Sequence, residues 1–328
     1  MKITIVFRFS AMGDVAIAAS VMREIAAQNS DTHFVIVTRA FFSPFFDNIP
    51  NVEVFPVDFS GKYKGFWGIL RLYKALNKTY NIGFIADLHD VLRTQLLTLF
   101  FRLSRKKIKI ATIHKGRKEK RVLCNIKMQK TQLKSTWLRY TEVFQALQIK
   151  AEIKPVNIPY LPEKVRKIGI SPFAQHKGKV YPHELTERVL ELLHPQYEIY
   201  LFGGGKKEQE ICEKWQEKFT KVQSLVGKYS LAEELKFISN LDVMLSMDSA
   251  CMHLASLCNV PCVSIWGATH PYVGFVGFRQ ELNPQIQLEE LPCRPCSVYG
   301  NKSCRFGDYR CLYGIEPDEV VQKLLGKN

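Results

Sequence analysis

The chain has no run of about 20 apolar residues, the length that a membrane-spanning helix requires. Candidates such as Leu96-Leu97-Thr98-Leu99-Phe100-Phe101 are far too short. It also lacks a signal-peptide core, because Ile3 to Phe7 is brief and Arg8 interrupts it. These absences predict a cytoplasmic protein that touches a membrane, if at all, from the inner face. The dinucleotide fingerprint G-x-G-x-x-G is missing. So is the phosphate-binding pattern G-x-x-x-x-G-K-[ST], which argues against a P-loop nucleotide hydrolase. Nine cysteines are an odd number, and without a leader they argue against a disulfide framework.

Acidic residues are scarce in the first half. Residues 1–150 hold 25 Lys/Arg and 10 Asp/Glu, whereas residues 151–328 hold 21 of each. The entire formal charge of +15 therefore lies in the first half of the sequence. Its densest part, Arg102 to Arg121, carries ten basic residues and one acid, Glu119. Such a run forms a solvated face or a groove for an anionic substrate or membrane surface. Nucleic acid is disfavoured, because Phe100 and Phe101 precede the run instead of interleaving with it.

What is present is an alternation of strand and helix. Ile3–Phe7 reads as a buried strand, and Val15–Ala27 follows as a helix with apolar residues near helical spacing. The alternation continues to a helix over Thr136–Leu147. Three prolines, Pro155, Pro159 and Pro162, then suggest a linker. After it, Lys167–Ile170 starts a second alternating run that closes with a helix over Pro317–Leu325. Strands joined by helical crossovers imply parallel sheets with helices on both faces. The expected architecture is α/β, with two Rossmann-like domains at 1–155 and 156–328. Ligands in such domains bind beyond the carboxyl ends of the strands, which makes an interdomain cleft the natural active site.

Several strand-end segments carry polar or glycine-rich chemistry. Ser10-Ala11-Met12-Gly13-Asp14 lies where the first strand turns into the first helix. Asp14 there is either an acid that complements the helix dipole or a group open to a substrate. Ser171 to Lys179 follows the first strand of the second run, and Lys179 could neutralise a diphosphate. Gly203-Gly204-Gly205 precedes a helix and offers open N–H groups or merely a tight turn. Asp248-Ser249 begins another helix, which contains His253, and Thr269 stands at a further strand end.

Taken in order, these segments resemble glycosyltransferase family nine, the lipopolysaccharide core heptosyltransferases. The resemblance rests on Phe9-Ser10-Ala11-Met12-Gly13-Asp14, Asp87-Leu88-His89 and Lys179-Val180-Tyr181-Pro182. Its most specific part is Asp248-Ser249-x-x-x-His253-Leu254-Ala255 followed by Trp266-Gly267-Ala268-Thr269-His270-Pro271. It implies a GT-B fold and inverting transfer that needs no metal or other cofactor. The implied donor is a nucleotide-diphosphate sugar, ADP-heptose in the best-known members. By carry-over, Asp14 is the general base. Lys179, Glu208, Asp248, Ser249, His253 and Thr269 bind the donor. Ser10, Met12, Gly13, Asp87, His89 and Arg93 line the acceptor side of the N-terminal domain. The implied acceptor is an anionic glycolipid at the inner membrane surface, which suits the basic first half. Ala250, Ala268 and His270 depart from the family pattern and leave the donor sugar open.

Cys293, Cys296, Cys304 and Cys311 are spaced C-x2-C-x7-C-x6-C. That spacing is compatible with a structural tetrahedral zinc site, with free thiols or with oxidised pairs. The rival functions are a GT-B transferase using another nucleotide sugar, a nucleotide-sugar epimerase, and a non-catalytic anion-binding protein.

Overall fold

A computed structural model describes residues 2–104, 106–154 and 164–326. The proline-rich stretch expected as a linker, with Pro155, Pro159 and Pro162, lies outside the described residues, as does Arg105 of the basic run. The chain divides into two units: residues 1–115 with 136–154, and residues 116–135 with 155–328.

In the first unit the apolar runs at Ile3–Phe7, His33–Arg39 and Ile82–Asp87 become central strands buried on both faces. The elements are β1 (Ile3–Phe7), α1 (Met12–Gln28), β2 (His33–Arg39), β3 (Val52–Val57), α2 (Gly65–Thr79), β4 (Ile82–Asp87), α3 (Leu92–Leu103) and β5 (Lys109–Thr112). The helix α4 (Arg117–Leu123) belongs to the second unit, and α5 (Thr136–Ala146) returns to the first. All strand pairings are parallel, in the order β3-β2-β1-β4-β5. One side of the sheet packs Ile5, Phe7, Val35, Val37 and Ile85 against Leu72 and Leu76 of α2 and Leu97 and Phe101 of α3. The strand order reverses beside β1, where Phe7 pairs with Asp87 of β4. That switch point is where an open parallel sheet presents a crevice to ligands.

The second unit repeats the plan. It contains β6 (Lys167–Ser171), α6 (His183–Leu193), β7 (Glu198–Leu201), α7 (Lys206–Lys218), β8 (Val222–Ser224), α8 (Leu231–Ser239), β9 (Val243–Met247), α9 (Ala250–Leu257), β10 (Cys262–Ile265), β11 (Gln285–Ile286), α10 (Arg310–Tyr313) and α11 (Pro317–Leu324). The sheet order is β11-β10-β9-β6-β7-β8, again all parallel. Its switch point lies between β6 and β9, where Ser171 pairs with Ser246.

Sequence periodicity misses β8 and β11, edge strands of three and two residues. It also misses α4, which falls inside the basic run. Lys120 of α4 is buried, with its ammonium over the Phe275 ring at 4.2 Å. The basic run is therefore not one solvated face. Because residues 116–135 fold with the second unit, the formal charge is shared as +9 and +6. Among the described residues, no helix is long and apolar enough to cross a membrane.

Candidate functional site

The first unit gathers polar groups at the carboxyl ends of β1 and β4. Helix α1 begins three residues earlier than periodicity predicts, so Asp14 lies in its first turn. Ala11 at the N-cap makes no side-chain cap, and the Asp14 carboxylate instead pairs with the Arg8 guanidinium. The Arg8 side chain is buried, whereas that of Asp14 is 35% exposed. Arg8 also donates to the Leu88 carbonyl at 2.8 Å and lies over the Tyr140 ring at 5.8 Å. One buried cation thus ties the end of β1, the end of β4 and helix α5 to the carboxylate. Ser10, Met12 and Gly13, beside Asp14, are partly exposed.

Asp87 closes β4 and is fully buried. Its Oδ1 accepts from the backbone N–H groups of His89 and Asp90, both at 2.9 Å. Burial raises its pKa, and those hydrogen bonds oppose the rise. Asp87 therefore shapes the turn that carries His89. The Phe9 N–H donates to His89 Nδ1 at 3.3 Å, so the neutral ring carries its hydrogen on Nε2. Burial, then the charges of Arg8 and Lys115, push His89 down to about 3. A neutral imidazole can donate to a substrate hydroxyl at pH 7 without adding charge. Arg93 stacks over Phe59 at 5.0 Å, and Phe59 packs on Phe9 at 4.7 Å.

In the second unit, Lys179 and Asp248 meet beyond β6 and β9. Lys179 Nζ lies 2.9 Å from Asp248 Oδ2, and both side chains are largely buried. Asp248 orients the ammonium of Lys179 just before the start of α9. Ser249 is the N-cap of α9, but its hydroxyl makes no cap; it lies 3.3 Å from Ser246 Oγ. The first N–H groups of α9 therefore have no side-chain cap, a favourable arrangement for an anion. His253 is buried one turn into α9. Thr269 is fully buried, and among the described residues its hydroxyl has no hydrogen-bond partner. Glu208 accepts from the Gly204 N–H at 2.7 Å and so clamps the glycine turn before α7.

The Lys179 loop and the Thr269 turn touch. The Ala268 N–H donates to the Gly178 carbonyl at 2.7 Å. A Cβ at Gly300 would lie 2.6 Å from Lys179 Cγ and 3.3 Å from Thr269 Cγ2, so Gly300, at φ +71°, lets both side chains approach.

Sequence reasoning missed what holds this turn. Arg294 is buried and donates to the carbonyls of Trp266 at 2.7 Å, Thr269 at 2.9 Å, Leu288 at 2.8 Å and Gly267. Its signal is an arginine inside the cysteine pattern, and attention falls on the thiols instead. None of the nine cysteines forms a disulfide. Among the described residues, no three His, Cys, Asp or Glu side chains converge as metal ligands. The tetrahedral zinc arrangement and the oxidised pairs that the spacing allows are thus not formed. Cys296 donates to the Cys293 carbonyl at 3.4 Å, and Cys304 to Asp308 at 3.8 Å. Burial pushes the Cys311 thiol up to about 11, so in this arrangement it is a protonated thiol at neutral pH.

Residues 88–305 match the family model described as glycosyltransferase family 9 (heptosyltransferase). The chain is 22% identical over 334 residues to lipooligosaccharide heptosyltransferase 2 of Campylobacter jejuni, covering 95% of each chain. A glycosyl transferase family 9 structure from Veillonella parvula superposes with a TM-score of 0.76 at 16% identity, over 99% of this chain and 98% of the other. The E. coli heptosyltransferase WaaC with ADP-2-deoxy-2-fluoro heptose gives 0.64 at 17% identity, over 92% and 97%.

Proposed function

The chain belongs to glycosyltransferase family 9 and has the GT-B fold, and from that membership we propose that it transfers heptose from ADP-heptose to an anionic lipopolysaccharide-core acceptor. The observation that carries this reading is Asp14, a partly exposed carboxylate at a strand-end switch point, fixed by a buried arginine. The first unit takes the acceptor and the second takes the nucleotide sugar. The enzyme works at the inner face of the cytoplasmic membrane.

Asp14 accepts the proton of the acceptor hydroxyl as that oxygen attacks the anomeric carbon. The bond from the anomeric carbon to the diphosphate oxygen breaks on the opposite face, so configuration inverts. Negative charge then develops on the departing ADP. Lys179, the N–H groups of α9, Ser249 and Thr269 stabilise it. Asp248 and Glu208 act on geometry, one holding Lys179 and the other the glycine turn. The ADP-sugar assignment is supported by the ligand named in the WaaC structure. The acceptor assignment is supported by the name of the Campylobacter relative and by the basic first unit.

The test is transfer from ADP-heptose to a heptose-free core acceptor, read by mass spectrometry. Asp14→Asn should lower kcat by at least about a hundredfold, the usual scale for losing a general base. ADP affinity should stay within about twofold. Near-normal turnover in that variant would remove Asp14 from the role of base. A selective response to a uridine or guanosine diphosphate sugar would change the donor.

A further inference from the structure

Helices α2 and α3 share a surface that the transfer chemistry does not use. On α2, Trp67 is 73% exposed and Phe66 is 52% exposed. Arg71, Lys74 and Lys78 follow Trp67 at spacings of four, seven and eleven, and all are exposed. These spacings place them on one stripe. On α3, Leu92, Leu99 and Leu103 also share a stripe and are 72%, 46% and 74% exposed. Phe66 and Tyr73 of α2 meet Phe100 of α3 at 5.9 and 5.7 Å, which joins the two stripes into one surface. No acid occurs in residues 59–86 or 91–118.

We propose that this joint face of α2 and α3 docks the first unit on an anionic lipid bilayer. Exposed large apolar side chains next to cations, with no acid on either helix, make an interfacial pattern. Trp and Phe insert at headgroup depth, the leucines reach the acyl boundary, and Arg71, Lys74 and Lys78 meet lipid phosphates. A second copy of this chain would bring the same cationic stripe against itself and is repelled. Single-stranded nucleic acid would stack on aromatic rings, whereas most of the exposed apolar groups here are leucines.

The test uses the full-length protein and flotation with vesicles of phosphatidylcholine alone or mixed with phosphatidylglycerol. Trp67 is the exposed one of four tryptophans; Trp137, Trp215 and Trp266 are buried. A blue shift of emission on adding vesicles therefore reports this face. Binding should require the anionic lipid. It should fall at least about tenfold in Arg71→Glu/Lys74→Glu, given the contribution of each surface cation. It should fall similarly in Trp67→Ser/Leu103→Ser. Both variants change exposed side chains and should keep the wild-type melting temperature. They should also keep their activity on a soluble, delipidated acceptor fragment. Equal binding to both vesicle types, or unchanged binding in either variant, would overturn the proposal. Loss of activity on the soluble acceptor would overturn it too, by assigning the face to substrate. Vesicle binding needs neither donor nor acceptor, so it can succeed even where the heptosyl reading fails.

Discussion

His89 and His270 show how burial sets protonation. Each accepts a backbone N–H on Nδ1, from Phe9 and Tyr272 respectively. Burial and neighbouring cations lower them to about 3 and about 4. In the unfolded chain each titrates near about 6.5. Below that pH the unfolded state binds more protons, so stability is complete above it and declines as pH falls towards the folded values. Melting temperature should drop between about pH 7 and pH 5. The drop should be shallower in His89→Asn and His270→Asn, whose amide oxygen can replace Nδ1. Identical slopes in the wild type and both variants would show that other groups govern acid stability. Asp14, Asp87, Lys179 and Thr269 were legible as strand-end residues because they follow apolar runs. Arg8 was visible only as an interruption, since no local pattern says which distant carboxylate a buried guanidinium will meet.

Most α/β elements were legible because buried parallel strands are continuously apolar and their helices are not. The short edge strands were not, because two or three residues carry no period. The contact between the Lys179 loop and the Thr269 turn was also hidden, since it joins segments about ninety residues apart in sequence. Gly178 tests that contact. A Cβ there would stand 2.7 Å from Ala268 Cβ, which is too close and cannot swing aside. Overpacking of this kind usually costs about 1–3 kcal/mol. Gly178→Ala should therefore push the two segments apart and weaken ADP binding roughly tenfold, equivalent to about 1.4 kcal/mol. Calorimetric titration with ADP checks this, and an unchanged affinity would separate the Lys179 loop from the donor site.

Across the whole molecule, both units carry positive charge, and the first carries more. A basic surface raises the local concentration of an anionic acceptor, and salt screens it over about 8–10 Å at ordinary ionic strength. The value of kcat/KM for the acceptor should therefore fall several-fold between about 0.05 and 0.3 M salt. ADP binding should change less if the proposed donor site holds it, because Lys179 is largely buried and the N–H groups of α9 are uncharged. Steady-state kinetics against each substrate distinguishes the two, and equal salt dependence would remove the steering argument.

The amino-acid sequence alone determined the fold class, the parallel sheets and the strand-end positions of the candidate residues. Those follow from local periodicity and from which residues cannot stay in water. Only the tertiary structure decided which groups meet. It paired Arg8 with Asp14, joined Lys179 to Asp248 and set Arg294 among the carbonyls of the Thr269 turn. It also moved residues 116–135, and their positive charge, into the second unit. The physical reason is that a buried charge must find its partner wherever packing brings one, and sequence distance does not limit that choice.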